Sequence, residues 1–141
     1  MIIMRRSMDY PMLREILRGK KVAIWTCNTC ARLCNNIGGE ESANRLADKL
    51  REDGIEVTGV LSTSASCIAP KVDKKYDEEI IGGADVVLSL TCDMGSFCAG
   101  TVFDKPMVNP IETLGPGYID LNGVPLLSDG VVVFKDSDPF V

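Results

Sequence analysis

The chain has 141 residues, of which 45% are apolar and 25% charged, which fits one ordinary globular domain and excludes the disordered and fibrous classes. Its net charge of −5 makes nucleic acid and anionic membrane poor partners, because phosphate binding needs clustered cations. It has no histidine, which excludes a Ser–His–Asp triad, a Cys–His dyad and any His-ligated zinc or haem site built from this chain; it has six cysteines.

The elements read as helix and strand in alternation. Tyr10 to Arg18 predicts a short helix with Met12, Leu13, Ile16 and Leu17 on one face, ended by Gly19. Lys21 to Thr26 predicts a buried strand. Glu41 to Asp53 predicts a second helix: Ala43, Leu46, Ala47 and Leu50 recur at helical spacing, Glu40 and Glu41 complement the positive end of the dipole, and Gly54 fits the position just past its end. Ile55 to Leu61 is the next strand. Val72, Tyr76 and Ile80 predict a third helix closed by Gly82-Gly83, followed by a strand over Asp85 to Leu90, a short helix over Ser96 to Phe103 and a short strand over Pro106 to Val108.

From Tyr118 the pattern changes. Tyr118 to Leu121 and Val124 to Leu127 flank Asn122-Gly123, the signature of a type I′ hairpin turn, and Pro125 places the second strand on an edge. Asp129-Gly130 is a further turn before a strand over Val131 to Phe134, and the tail from Lys135 to Val141 reads as frayed. Strands separated by helices imply right-handed crossovers. The expectation is a single α/β domain over residues 1–141, three-layered, with a mainly parallel sheet of about four strands, flanking helices and a C-terminal β-hairpin.

Charge is uneven along the chain. Residues 1–21 hold six basic groups against two acids, and the stretch from Asp104 onward holds six acids against Lys105 and Lys135. Solvated faces account for this more simply than a docking surface. No apolar run approaches the roughly 18 residues of a membrane span, and the opening Met1 to Arg6 does not read as a secretory signal. A cytoplasmic location is therefore expected, and there so many cysteines point to metal or redox chemistry rather than a disulfide framework.

The positions of those cysteines carry the functional reading. Cys27, Cys30 and Cys34 fall in the loop after the first predicted strand, Cys67 follows the second, and Cys92 and Cys98 follow the third. Parallel strands all end on one side, so the six thiols gather on the carboxyl rim, where open α/β sheets bind their ligands. Cys27-x2-Cys30-x3-Cys34 supplies three thiolates, and a cubane iron–sulfur cluster needs a fourth: Cys92 first, then Cys67, then Cys98. Asn28, Thr29, Asn35, Asn36 and local backbone N–H groups could hydrogen-bond the sulfurs, and Trp25 and Phe97 could keep the cluster dry, although plain core packing is the simpler reading of Trp25. Four-thiolate zinc uses the same ligands but usually two Cys-x2-Cys knuckles, of which only one occurs here. A Cys27/Cys30 dithiol device lacks a thioredoxin pattern around it, and inert buried thiols are the plainest alternative.

Weaker signals point nowhere further. Gly38-Gly39 before a helix could cradle a phosphate, but Glu40 and Glu41 would repel it, so a turn and cap fit better. Ser96 has no Gly-x-Ser-x-Gly elbow and no histidine to serve it.

The order of these features resembles a known family. Strand, Cys-x2-Cys-x3-Cys, Gly-Gly-Glu, amphipathic helix, strand, lone Cys67, helix, Ala84-Asp85-Val86-Val87-Leu88-Ser89-Leu90-Thr91-Cys92 and a Pro-Met-Val-Asn-Pro strand looks like the small subunit of bacterial and archaeal methylenetetrahydrofolate reductases, also known as the methylenetetrahydrofolate reductase C-terminal domain family. The likeness covers about Leu13 to Leu114. It implies an iron–sulfur accessory subunit with a 4Fe–4S cluster, passing electrons to a flavin-bearing catalytic partner in one-carbon metabolism and not itself catalytic. Cys27, Cys30, Cys34, Cys67 and Cys92 match the family's cysteines, and Cys98 has no clear counterpart. The chain departs from the pattern in having Asp93 where Gly is expected and no cysteine after Cys98, where family members often continue into a cysteine-rich tail. The alternative is a zinc-stabilised scaffold with no redox role.

Overall fold

The computed structural model describes residues 1–133 and 140. In chain order the elements are β1 (Ile2–Arg6), α1 (Tyr10–Leu17), β2 (Lys21–Cys27), α2 (Cys30–Leu33), α3 (Glu40–Glu52), β3 (Glu56–Thr63), α4 (Ala69–Asp73), a π-turn (Glu78–Gly82), β4 (Val86–Leu90), α5 (Asp93–Phe103), β5 (Met107–Val108), β6 (Ile111–Ile119) and β7 (Pro125–Leu127).

β2, β3, β4 and β5 form a parallel sheet in the spatial order β3-β2-β4-β5. β2 is central, and Val22, Ala23, Ile24 and Trp25 are wholly buried. A strand covered on both faces reads as a continuous apolar run, which is why it stands out in the sequence. Alternate residues serve opposite faces. Val22, Ile24, Val86, Leu88 and Leu90 pack with β1, α1 and α3 residues, whereas Ala23, Trp25 and Val87 pack with α4, the π-turn and α5. The sheet is therefore the middle of three layers, as the alternation implied.

The chain leaves β2 for β3 on one side, then crosses to β4 on the other. Order reverses between β2 and β4, so their carboxyl ends open a crevice, the usual ligand position in doubly wound sheets. Cys27 ends β2 and Cys92 follows β4, so both flank that crevice.

Several expectations need correction. No element was expected before Tyr10, yet β1 pairs antiparallel with β6, and β6 with β7, to make a second sheet β1-β6-β7. Ile3 and Met4 are both fully buried and the register shifts between them, so β1 shows no polar–apolar alternation to read. β6 starts at Ile111, seven residues before the expected Tyr118, because Gly115-Pro116-Gly117 reads as a break yet lies within the strand. The hairpin loop is also not type I′. Among its residues only Gly123 has positive φ, at 78°, and the Asp120 carboxylate accepts from the Asn122 and Val124 N–H groups, which marks the longer loop with a glycine in the left-handed position.

The single helix expected over Val72 to Ile80 is two pieces. Asp77 accepts from the N–H groups of Glu79 and Ile80 and so caps a new turn where the first had stopped. α5 begins at Asp93 rather than Ser96, with Cys92 as its N-cap residue. In α1, Leu13 and Leu17 are buried, while Met12 and Ile16 face outward. The expected strand over Val131 to Phe134 is one bridge, Leu126 to Val132. Phe134 and the tail lie outside the described residues except Phe140, which is buried under the Arg6 guanidinium. No helix among the described residues is long and apolar enough to cross a membrane.

Candidate metal centre

The loop after β2 is held open by its own hydrogen bonds. Asn28 N–H donates to Thr63 O at 2.8 Å, continuing the β2–β3 ladder one residue past its end. The Asn28 side-chain oxygen accepts from Glu40 N–H at 2.8 Å, and its carbonyl accepts from Arg32 Nε at 2.8 Å. Thr29 Oγ1 donates to Ser64 O at 2.6 Å. The chain then makes the single turn of α2, and Asn35 and Asn36, both at φ 54°, bend it back towards α3. Asparagine tolerates this left-handed region better than most residues.

Gly38 is required at this bend. A Cβ there would lie 2.7 Å from both Ala31 Cβ and Leu90 O. Gly39 N–H donates to Thr26 Oγ1, and Thr26 Oγ1 donates to Leu90 O at 2.9 Å. The donors at this helix start are therefore engaged by Thr26 and Asn28, which leaves Gly38-Gly39 as a turn and cap rather than a phosphate cradle.

The ends of β3 and β4 are tied to the same place through one buried serine. Trp25 Nε1 donates to Ser66 Oγ at 2.8 Å, and Ser66 Oγ donates to Gly95 O at 2.8 Å. Trp25 is itself fully buried, edge-on to Phe103 with ring centroids 5.0 Å apart. Trp25 is thus a core residue, as its simpler reading had it, whereas Phe97, a candidate shield for the cluster, is 80% exposed. Asp93, where the resembled family has Gly, accepts from Thr113 N–H and Asn109 Nδ2, and its own N–H donates to Thr113 Oγ1 at 2.9 Å. It fastens the start of α5 to β6.

These segments enclose a cavity of about 290 Å³ on the carboxyl rim. Cys27, Cys30, Cys67 and Cys92 all line it, with Ile2 of β1 and Met94 of α5 closing its walls. No charged side chain lines it. The four thiols come from the ends of three strands. Cys27 Sγ lies 3.8 Å from Ser64 O, and the Gly95 N–H donates to Cys92 Sγ at 3.4 Å. Burial pushes the Cys92 thiol pKa up; the Gly95 N–H works against it, while Cys30 and Cys27 push it further up. The uncharged form of the Cys92 thiol is thus favoured.

Two of the six thiols are elsewhere. Cys34 was expected as the third ligand of its loop, but its side chain is 1% exposed and its Sγ donates to Met4 O at 3.1 Å. β1 packs against the loop and supplies that acceptor, so the thiol turns into the core. Cys98 lies inside α5 rather than on the rim and does not line the cavity; burial, then Cys67, push its pKa up. No two of the six are joined in a disulfide. No three Cys, Asp or Glu side chains among the described residues converge as ligands of a single ion. Ile2, Met94 and Ser66 were not anticipated at the site. Ser66, beside Cys67, was the nearest to a signal.

Fold and site together define a doubly wound α/β protein with a pocket lined by four cysteines at the point where strand order reverses. No protein-family model, curated protein or solved structure matches this chain.

Proposed function

We propose that this protein is a cytoplasmic iron–sulfur accessory subunit, which holds a 4Fe–4S cluster on Cys27, Cys30, Cys67 and Cys92 and relays electrons to a flavin-bearing catalytic partner. The observation that carries the reading is that four cysteines, from three strand ends, line one cavity without charged walls. Four cysteines with no histidine or carboxylate beside them suit iron–sulfur clusters and zinc. Structural zinc usually draws on two Cys-x2-Cys pairs, and the single such pair here, Cys27 and Cys30, favours the cluster. The resemblance to the small subunit of methylenetetrahydrofolate reductases supports the same reading and supplies the flavin-bearing partner and the one-carbon setting.

When bound, the cluster would supply one-electron transfer. The chain's own residues do the rest. The Gly95 N–H, already directed at Cys92 Sγ, stabilises negative charge on that sulfur. Ile2 and Met94 add apolar surface to the cavity walls. The Trp25–Ser66–Gly95 hydrogen bonds tie the segments that carry Cys67 and Cys92 to the end of β2, and the four sulfurs would close in from the cavity walls as the cluster is loaded. Metal takes the place of the thiol protons, so loading releases protons and weakens as pH falls.

Anaerobically purified protein tests this directly. A brown protein whose visible band bleaches on reduction with dithionite is expected. A colourless protein with stoichiometric zinc would establish the scaffold reading instead, and reduction of insulin disulfides by metal-free protein would establish a thiol oxidoreductase. Anaerobic handling matters because uncapped thiolates oxidise.

A further inference from the structure

Among the four cavity thiols Cys67 alone is exposed, so the cavity reaches the surface where the β3–α4 loop meets α5. Two features surround that point. The first is apolar. Ile68, directly after Cys67, is 45% exposed, Met94 in the cavity wall is 45% exposed, and Phe97, one turn further along α5, is 80% exposed. Phe97 lines a neighbouring cleft rather than the cavity itself, and exposed large apolar groups so close along the chain to a site mark surface that a partner covers.

The second is basic. A separate cleft of about 460 Å³ is lined by Lys71, Lys74 and Lys75. Ser64 lines both this cleft and the cysteine cavity, so the two share a wall. Lys71 Nζ donates to Ser64 Oγ at 3.0 Å. None of the three lysines makes an ion pair among the described residues. Glu40 stands in the same cleft without pairing with them, and Asp73, on the same helix, does not line it. Three unpaired cations at one place run against the net charge of −5. An apolar centre with a charged rim is the usual anatomy of a transient interface.

We infer that the face around Cys67 docks a small acidic electron-carrier protein, with Ile68, Met94 and Phe97 at the centre of the contact and Lys71, Lys74 and Lys75 on its rim. This rests on the cluster reading above, and it specifies the donor side that the reading leaves open. With a cluster bound, one electron would pass per encounter: the carrier's centre would be oxidised by one and the cluster reduced by one, with no bond formed or broken. The lysines steer the approach and orient the carrier, while the apolar centre excludes water between the two redox groups.

The test uses the full chain, prepared anaerobically, and an acidic two-cluster ferredoxin as the probe. Binding is measured by titration at low salt and at about 0.15 M, where charges more than roughly 8 Å apart are largely screened. Binding is expected to weaken with salt. The combined Lys71→Glu, Lys74→Glu, Lys75→Glu variant should bind about ten-fold or more weakly and lose most of the salt dependence. Phe97→Ala should weaken binding without changing the salt dependence. Lys20→Glu with Lys21→Glu, at the opposite end of β2, should bind as the unaltered protein does. Triple-reversal protein that binds normally, or an equal loss from the Lys20 and Lys21 changes, would overturn the docking face. Iron and sulfide measured on the same samples separate the two claims. Docking without a cluster overturns the cluster reading alone, and a cluster with docking indifferent to the lysines overturns this inference alone.

Discussion

Cys30 and Cys34 stand at the two ends of one helical turn, and they serve different regions of the molecule. Cys30 lines the rim cavity, together with thiols from two other strand ends. Cys34 points the other way, into the layer beneath β1, where Met4 O accepts its S–H. The rim is a place of unfinished chemistry: thiols in a pocket without charged walls. The β1 layer is a place of satisfied packing. The contrast teaches that spacing along a loop does not decide which sulfurs converge. The backbone packed behind the loop decides it.

The comparison predicts unequal consequences for changes in the two regions. The largest belongs to the rim. Cys30→Ala should abolish cluster retention while the protein stays folded, seen as loss of iron, sulfide and visible colour with an unchanged far-ultraviolet spectrum. Retention of a reducible visible band would show that Cys30 is not a ligand.

Gly38→Ala tests the bend that separates the two regions. A Cβ meeting Ala31 Cβ and Leu90 O at 2.7 Å forces the Cys30 segment to move. A loss of about 1–3 kcal/mol in urea unfolding is expected, the ordinary cost of overpacking. An unchanged midpoint would mean that the loop yields freely.

Trp25→Phe keeps the ring in the core and removes only the Nε1 donor to Ser66. Ser66 is 2% exposed and would lose a partner, at a cost of about 1–2 kcal/mol. Because Ser66 also donates to Gly95 O, the variant should load iron more slowly under limiting supply. Equal loading rates would argue against that hydrogen-bonded chain as the brace of the site.

The smallest effect lies far from the rim. The Tyr10 hydroxyl donates to the Asp53 carboxylate and holds that group below its ordinary pKa, against desolvation and with help from Lys49 and Arg14. A carboxyl depressed in the folded state stabilises above its unfolded pKa of about 3.9, and that stabilisation is lost as pH falls through the folded value. Tyr10→Phe should therefore narrow the drop in melting temperature between about pH 5 and pH 3, measured by thermal scans. Parallel curves for the two proteins would contradict the assignment.

The parallel sheet was legible because β2 and β4 are buried on both faces and α3 carries a clean apolar stripe with acids at its start. The carboxyl-rim position of Cys27, Cys30, Cys67 and Cys92 followed from that topology alone. β1 was not legible, since Ile3 and Met4 are consecutive and both buried, and β6 hid its length behind Gly115-Pro116-Gly117. That omission removed the acceptor for Cys34, and the misplacement of Cys34 followed from it. The exposed position of Phe97 was equally hidden, because an aromatic next to a cysteine reads the same in sequence whether it shields a site or faces out.

The most direct test is the iron and acid-labile sulfide content of Cys34→Ala and Cys67→Ser, prepared side by side without oxygen. Cys34→Ala should hold about four iron and four sulfide per chain, like the unaltered protein, while losing about 1–2 kcal/mol of stability from the core. Cys67→Ser should lose most of both. Iron lost from the Cys34 variant and kept in the Cys67 variant would contradict the four-thiol pocket.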